Sequence, residues 1–251
     1  MKNTFRDVFL VAAKRTPVGA FQGSLSSVSA TTLGSEVVKA ILEETKISLD
    51  SVDEVIMGCV LSAGLGQAPA RQVALRSGLS NSVECLTINK MCGSGLKAIM
   101  MAAQAIKAGD AEIIIAGGME NMSAVPHYLD KGRNGQKLGD MKLIDGLIKD
   151  GLTDVYNKVH MGNCAEICAK DMNITREEQD AFAIESYTRS AKSWEEGRFN
   201  NEIVPVSVPQ RRGEDLIVSE DEEYKNVKMD KIPNLRAVFE KDGTITAANA
   251  S

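Results

Sequence analysis

Hydrophobic positions fall into short continuous runs that alternate with helical stripes. Val8-Phe9-Leu10-Val11-Ala12-Ala13 is apolar without alternation, the pattern of a strand buried on both faces, and Pro17 and Gly19 end it. From Thr32, residues Leu33, Val37, Ile41 and Leu42 recur at helical spacing, with Glu36, Lys39, Glu43 and Glu44 between them. Val55-Ile56-Met57-Gly58-Cys59-Val60-Leu61 predicts a second buried strand. Residues 69–77 predict a helix with Pro69 in its first turn. Leu86-Thr87-Ile88 predicts a brief strand and residues 93–108 a long helix rich in Ala and Met. Glu112-Ile113-Ile114-Ile115-Ala116 predicts another buried strand, stopped by Gly117-Gly118. This alternation predicts a layered α/β domain over roughly residues 5–120.

After Gly118 the pattern changes. Residues 119–160 are rich in Met, Gly, Lys and Asn and carry few strand signals. Helices are predicted over 165–172 and 176–196, the second opened by the capping-box pattern Thr175-Arg176-Glu177-Glu178. Ile203-Val204-Pro205-Val206-Ser207-Val208 and Leu216-Ile217-Val218 predict an exposed hairpin around Arg211-Arg212-Gly213. The expected organisation is therefore an N-terminal α/β unit over 1–120, an inserted α+β unit over 121–246, and a return to the first unit over 247–251.

Composition narrows the class. Of the 251 residues, 43% are hydrophobic and 25% charged, which fits a globule and excludes disorder and fibre. No apolar run approaches the ~20 residues of a membrane-spanning helix, so no membrane partner is expected. The net charge of -5 argues against a nucleic-acid partner, but allows a local basic patch for a phosphorylated small molecule. The first residues show neither a signal core nor transit character. Cys59, Cys85, Cys92, Cys164 and Cys168 are an odd set without disulfide-like spacing. They predict reduced, mostly buried thiols and a cytoplasmic location.

The densest chemistry lies in Ile88-Asn89-Lys90-Met91-Cys92-Gly93-Ser94-Gly95-Leu96-Lys97-Ala98. A strand runs into a cysteine, two glycines permit a sharp turn, and a helix follows. A thiolate there faces free N–H groups and the positive end of the helix dipole. The same N–H groups suit an oxyanion formed when the sulfur attacks a carbonyl. Ser94 is a rival nucleophile, but its flanks do not form a Gly-x-Ser-x-Gly elbow. From the residues alone, a reactive thiol and a merely packed cysteine remain equally open.

Several long motifs, in order, resemble the thiolases, and among them the acetoacetyl-CoA thiolases. They are Arg15-Thr16-Pro17-Val18-Gly19, Gly64-Leu65-Gly66-Gln67-Ala68-Pro69-Ala70-Arg71-Gln72, the Cys92 turn, Ala116-Gly117-Gly118-Met119-Glu120-Asn121-Met122-Ser123, His160-Met161-Gly162-Asn163, and Asp242-Gly243-Thr244-Ile245-Thr246-Ala247-Ala248-Asn249-Ala250-Ser251. Asp150-Gly151-Leu152-Thr153-Asp154-Val155-Tyr156-Asn157-Lys158 looks most like the mitochondrial subgroup. The resemblance implies a thiolase-like layered fold, a mixed sheet with helices on both faces, and an inserted loop domain. It implies an acyltransferase of fatty-acid and ketone-body metabolism that joins two acetyl-CoA into acetoacetyl-CoA, or runs the reverse thiolysis. Cys92 would carry the acetyl group.

The resemblance further implies coenzyme A as substrate, with no prosthetic group. The adenosine end would meet Asn226, Val227, Lys228 and Lys231, with Lys225 the nearest cation to an Arg of bacterial relatives. Leu152, His160, Met161, Phe239 and Ser251 match pantetheine-lining positions. Tyr187 and the backbone of Ala247, Ala248 and Ala250 match a potassium site of the mitochondrial-like subgroup, and hard oxygen ligands suit such a cation. A homo-oligomer, dimer or tetramer, is implied, with contacts from the 119–139 region.

The family's catalytic His, in a Gly-His-Pro stretch, and its second Cys, in a Cys-x-Gly-Gly-Gly stretch, have no counterpart; the two histidines are His127 and His160. The expectation is a chain cut after its N-terminal two-thirds, unable to turn over alone and prone to associate through an uncovered sheet edge. Two other readings stay in view. One is a non-catalytic coenzyme A module that complements a second chain. The other is a dinucleotide-binding oxidoreductase, weakened because Gly64-x-Gly66 meets Pro69 at the third glycine position. His160, Cys164 and Cys168 at four-residue spacing mimic a metal face but lack a fourth ligand.

Overall fold

The computed structural model describes residues 6–250. The chain divides into two compact units. The first comprises the chain up to Leu147 together with Glu202–Glu220; the second comprises Ile148–Asn201 and the chain from Asp221 onward.

The first unit is built on three parallel strands. β1 (Glu54–Gly58) lies between β2 (Glu84–Ile88) and β3 (Ile114–Gly118), in the order β2-β1-β3. Glu54 stands opposite Glu84 and Ile114, and Gly58 opposite Ile88 and Gly118. Parallel neighbours need crossovers, and helices supply them. Helices α1 (Ala30–Thr45) and α2 (Pro69–Arg76) pack with Val55 and Met57 on one face. Helix α3 (Ser94–Ala108) packs with Ile56 on the other, through Ala98 and Ala102. Covered twice, β1 is buried from Val55 to Gly58, which is why its sequence runs apolar without alternation. Each fully buried Val or Ile there contributes about 1.5–3 kcal/mol. The expected layered α/β architecture is present; its sheet is wholly parallel among the described residues, rather than mixed.

Three further expectations are corrected. Residues 8–13 form no strand: Phe9, Leu10 and Val11 are 78%, 77% and 69% exposed. A buried strand needs a paired edge and cover on both faces. Leu10, Ala12 and Ala13 instead border a cavity of about 350 Å³ that they share with Ile115, Ala116 and Gly117 of the outer strand β3. The predicted hairpin forms from Val206–Val208 and Leu216–Val218, antiparallel, but is not exposed on its inner face. Val206, Val208 and Val218 are buried against Leu25 and Val28. This packing draws residues 202–220 into the first unit. Asn121 adds to it, its Nδ2 donating to the carbonyls of Ser26 and Val28 at 3.0 and 2.7 Å. The division therefore falls at Leu147 rather than at residue 120, and residues 247–250 stay with the second unit rather than returning to the first.

The second unit is built around α4 (Met161–Asp171) and α5 (Arg176–Glu195). The capping box at Thr175 and Glu178 opens α5 as expected. Helix α4 starts four residues earlier than the expected 165, because His160 caps it: its Nδ1 accepts the N–H of Gly162 at 3.0 Å. Gly162 and Asn163 do not break the helix. A Cβ at Gly162 would overlap the Phe239 ring, so glycine is what lets the ring lie on the first turn.

Candidate active site

The turn that carries Cys92 grows out of β2. After Ile88 the chain reverses through Met91, whose φ of 49° is left-handed and strained for a side chain that is not glycine. Local hydrogen bonds hold it. Asn89 Oδ1 accepts the Met91 N–H at 2.9 Å. Ser94 Oγ accepts the Lys90 N–H at 2.9 Å and donates to the Met91 carbonyl at 2.6 Å. Ser94 is 5% exposed, so it braces the turn from inside instead of offering a nucleophile. Cys92 is exposed, two residues before α3 begins.

The helix start sits directly on the sheet. A Cβ on Gly58 would lie 2.6 Å from the Ser94 carbonyl carbon, and one on Gly118 would lie 3.1 Å from Gly95 Cα. Gly58, Gly95 and Gly118 thus let the end of α3 that follows Cys92 approach the ends of β1 and β3. The oxyanion expectation is refined. Gly93 N–H donates to Lys90 O and Ser94 N–H to Met91 O, so both amides serve the turn. The first helical amides beyond them, Gly95 and Leu96, have no carbonyl one turn back within the helix.

Of the other thiols, Cys168 alone shares the exposure of Cys92. Only Cys59 is buried; Cys85 and Cys164 are half-buried and Cys168 is exposed, against the expectation of mostly buried thiols. Burial, then the Glu120 charge and its contact at 3.7 Å, push the Cys59 thiol up to about 12. Glu120 itself holds the loop after β1, accepting the N–H groups of Val60 and Leu61 at 2.8 and 3.1 Å. Sequence reasoning missed this role, and a lone Glu after Gly-Gly-Met carries no local signal for it.

In the second unit, several expected coenzyme residues come together. The His160 and Phe239 rings stack at 4.8 Å with 20° between planes. Met161 follows as the first, exposed residue of α4, and Leu152 ends a π-helical turn, Ile148–Leu152. Asn226 closes a short helix; Val227 and Lys228 lead into the 3-10 helix Met229–Asn234, which carries Lys231. Asn226, Lys228 and Lys231 are exposed. Lys225 lies 5.8 Å from the Tyr224 ring centre. Ser251 lies outside the described residues. Of the expected potassium ligands, Tyr187 Oη reaches the Ala248 carbonyl at 3.4 Å, and Ala247 and Ala250 belong to the same turn. Burial and the Glu223 charge raise the Tyr187 hydroxyl. These are oxygen donors of the kind a hard cation takes.

A family model of the thiolase N-terminal domain matches residues 8–251. The chain belongs to the thiolase family. Similar thiolases include the mitochondrial acetyl-CoA acetyltransferase of Bos taurus, 54% identical over all 251 residues of this chain and 59% of that protein. The Homo sapiens enzyme of the same name is 53% identical over the whole chain and 58% of its own length. The chain thus spans just under three-fifths of the curated thiolases it matches. Among solved structures, a thiolase from Ascaris suum in complex with coenzyme A superposes with a TM-score of 0.91 at 45% identity, covering 97% of this chain and 62% of that one. The cytoplasmic expectation is overturned, because the matched relatives are named mitochondrial. Cysteines without disulfide-like spacing and first residues without transit character were too weak a basis for it.

Proposed function

We propose that this chain is the nucleophile- and coenzyme-bearing part of an acetyl-CoA acetyltransferase, which condenses two acetyl-CoA into acetoacetyl-CoA or runs the reverse thiolysis. The observation that carries the reading is Cys92: an exposed thiol on a braced, strained turn at a helix start, in a chain matched to the thiolase N-terminal domain. In this reading the Cys92 thiolate adds to the thioester carbonyl carbon and the carbonyl electron pair moves onto oxygen. The helix-start amides hold that oxyanion. Collapse breaks the C–S bond to coenzyme A, whose thiolate takes up the proton that Cys92 released. The acetyl group remains on Cys92 Sγ. A second acetyl-CoA must then lose an α-proton before its carbanion attacks acetyl-Cys92. The Gly-His-Pro and Cys-x-Gly-Gly-Gly groups that the thiolase resemblance assigns to proton movement are not among these residues.

The coenzyme contacts belong to the same proposal: Asn226, Val227, Lys228 and Lys231 toward the adenosine end, and Leu152, His160, Met161, Phe239 and Ser251 along pantetheine. The stacked His160 and Phe239 support it, as does the coenzyme A complex of the Ascaris suum relative. Potassium at Tyr187, Ala247, Ala248 and Ala250 and a homodimer or homotetramer of the complete protein complete it. Mass spectrometry of the chain after incubation with acetyl-CoA tests the proposal. The expected result is an acetyl adduct on the peptide carrying Cys92, absent in Cys92→Ala. An adduct that persists in Cys92→Ala would refute the assignment. Coenzyme A binding with no adduct would point instead to a non-catalytic coenzyme A module.

A further inference from the structure

Two buried carboxylates in the second unit have no role in the chemistry above. Glu166 is 7% exposed on the inner face of α4, and Asp180 is 6% exposed on α5. Glu166 is turned onto the backbone of residues 244–245, whose Ile245 carbonyl accepts the Val238 N–H at 2.9 Å beside the coenzyme candidate Phe239; Asp180 is turned onto the side chains of Asn249 and Arg176. Glu166 accepts the Thr244 N–H through both oxygens, at 3.0 and 2.8 Å, and the Ile245 N–H at 2.8 Å. It also accepts the Thr244 hydroxyl at 3.1 Å. A Cβ at Gly243 would overlap this carboxylate, so the glycine makes room for it.

Asp180 works on two segments at once. Its Oδ1 accepts Asn249 Nδ2 at 2.9 Å; Asn249 in turn donates to Thr244 O and accepts the Thr246 N–H. Its Oδ2 accepts Arg176 Nε at 2.7 Å, and Arg176 Nη2 donates to the carbonyls of Ile232 and Leu235, both at 3.0 Å. One partly buried ion pair therefore ties residues 244–249 to residues 232–235. Charged hydrogen bonds inside a protein are strong and fix geometry more tightly than neutral ones.

We propose that Glu166 and Asp180 are positioning residues for coenzyme A. Glu166 clamps the 244–245 backbone, which is bonded to Val238 beside Phe239, and the Arg176–Asp180 pair locks that segment to the 3-10 helix carrying Lys231, so Phe239 and Lys231 are held in one register. The proposal rests on the coenzyme reading above and deepens it. Two measurements on the full chain test it separately from that reading. In hydrogen–deuterium exchange, Asp180→Asn speeds exchange in both 229–236 and 244–250, whereas Glu166→Gln speeds it only in 244–250, with the rest of α4 and α5 unchanged. In calorimetry with coenzyme A, Asp180→Asn weakens binding by about ten-fold, as expected for loss of a charged hydrogen bond. Exchange that rises across the whole second unit would reduce both residues to ordinary structural support and overturn the proposal. So would an Asp180→Asn profile confined to 244–250. Failure of the unmutated chain to bind coenzyme A would count against the coenzyme reading alone, and the exchange pattern would still decide the coupling.

Discussion

Gly58→Ala should strike the Cys92 turn through the sheet beneath it. The added Cβ would lie 2.6 Å from the Ser94 carbonyl carbon, 2.7 Å from Gly95 N and 2.7 Å from Ser94 Cβ. Carbon atoms in good contact sit ~3.5–4.0 Å apart. The obstructing atoms are backbone and the first carbon of a buried side chain, so no rotamer change relieves them. Helix α3 must retreat from β1 by about 1 Å, loosening Ala98 and Ala102 against Ile56. Overpacking costs ~1–3 kcal/mol, and an obstacle made of backbone puts this case at the top of the range, about 3 kcal/mol. For a chain of this size that lowers Tm by roughly 6–12 °C. Gly117→Ala is the control: it lies one residue before Gly118 on β3, and a Cβ there meets nothing within 4 Å. Its expected effect is below about 0.5 kcal/mol. Urea unfolding followed by far-UV circular dichroism measures both. The rate of Cys92 alkylation by iodoacetamide at one fixed pH should change in Gly58→Ala and not in Gly117→Ala. Equal stability and equal alkylation in the two variants would refute the close-approach argument.

Other consequences are as direct. With its thiol raised to about 12, Cys59 is thiolate in roughly one molecule per ten thousand at pH 8, so iodoacetamide should leave it unlabelled in the folded chain; peptide mapping that finds Cys59 labelled as fast as Cys92 would contradict this. Burial raises the Glu166 pKa, but hydrogen bonds from Thr244 and Ile245 outweigh it and hold the group below its ordinary 4.5. Its stabilisation is therefore present above pH 4.5 and lost as pH falls through the lower folded value. The gap in urea midpoint between the unmutated chain and Glu166→Gln should shrink below pH 4.5, and a gap that is constant with pH would show that the charge is immaterial. Gly162→Ala should push the Phe239 ring off the start of α4 and break its stack with His160. Coenzyme A binding measured by calorimetry should weaken by about ten-fold or more, and unchanged binding would remove the stack from the site.

The turn at Cys92 was legible because it is local. Strand, cysteine, glycine, serine, glycine and helix follow one another within a dozen positions, and the Ser94 brace reaches back four residues. The Glu166 clamp was not legible, since its acceptors and donors stand 78 and 79 positions apart, and Asp180 meets Asn249 across 69. A faint signal existed: Glu166 falls on the helical face of Gly162 and Ala169, and an acidic group on a buried face requires donors.

The amino-acid order alone determined the elements whose causes are local. Residues at helical spacing became α1, α2 and α3; Thr175 and Glu178 capped α5; Val55 to Gly58 formed a doubly covered strand. Tertiary structure decided what depends on a distant partner. Residues 8–13 have the apolar pattern of a buried strand yet gain no paired edge, so Phe9, Leu10 and Val11 stay exposed. The 206–218 hairpin reads as exposed yet is buried, because Leu25 and Val28 receive it. Periodicity reports how a segment is ready to be covered, while only the packed chain supplies the surface that covers it.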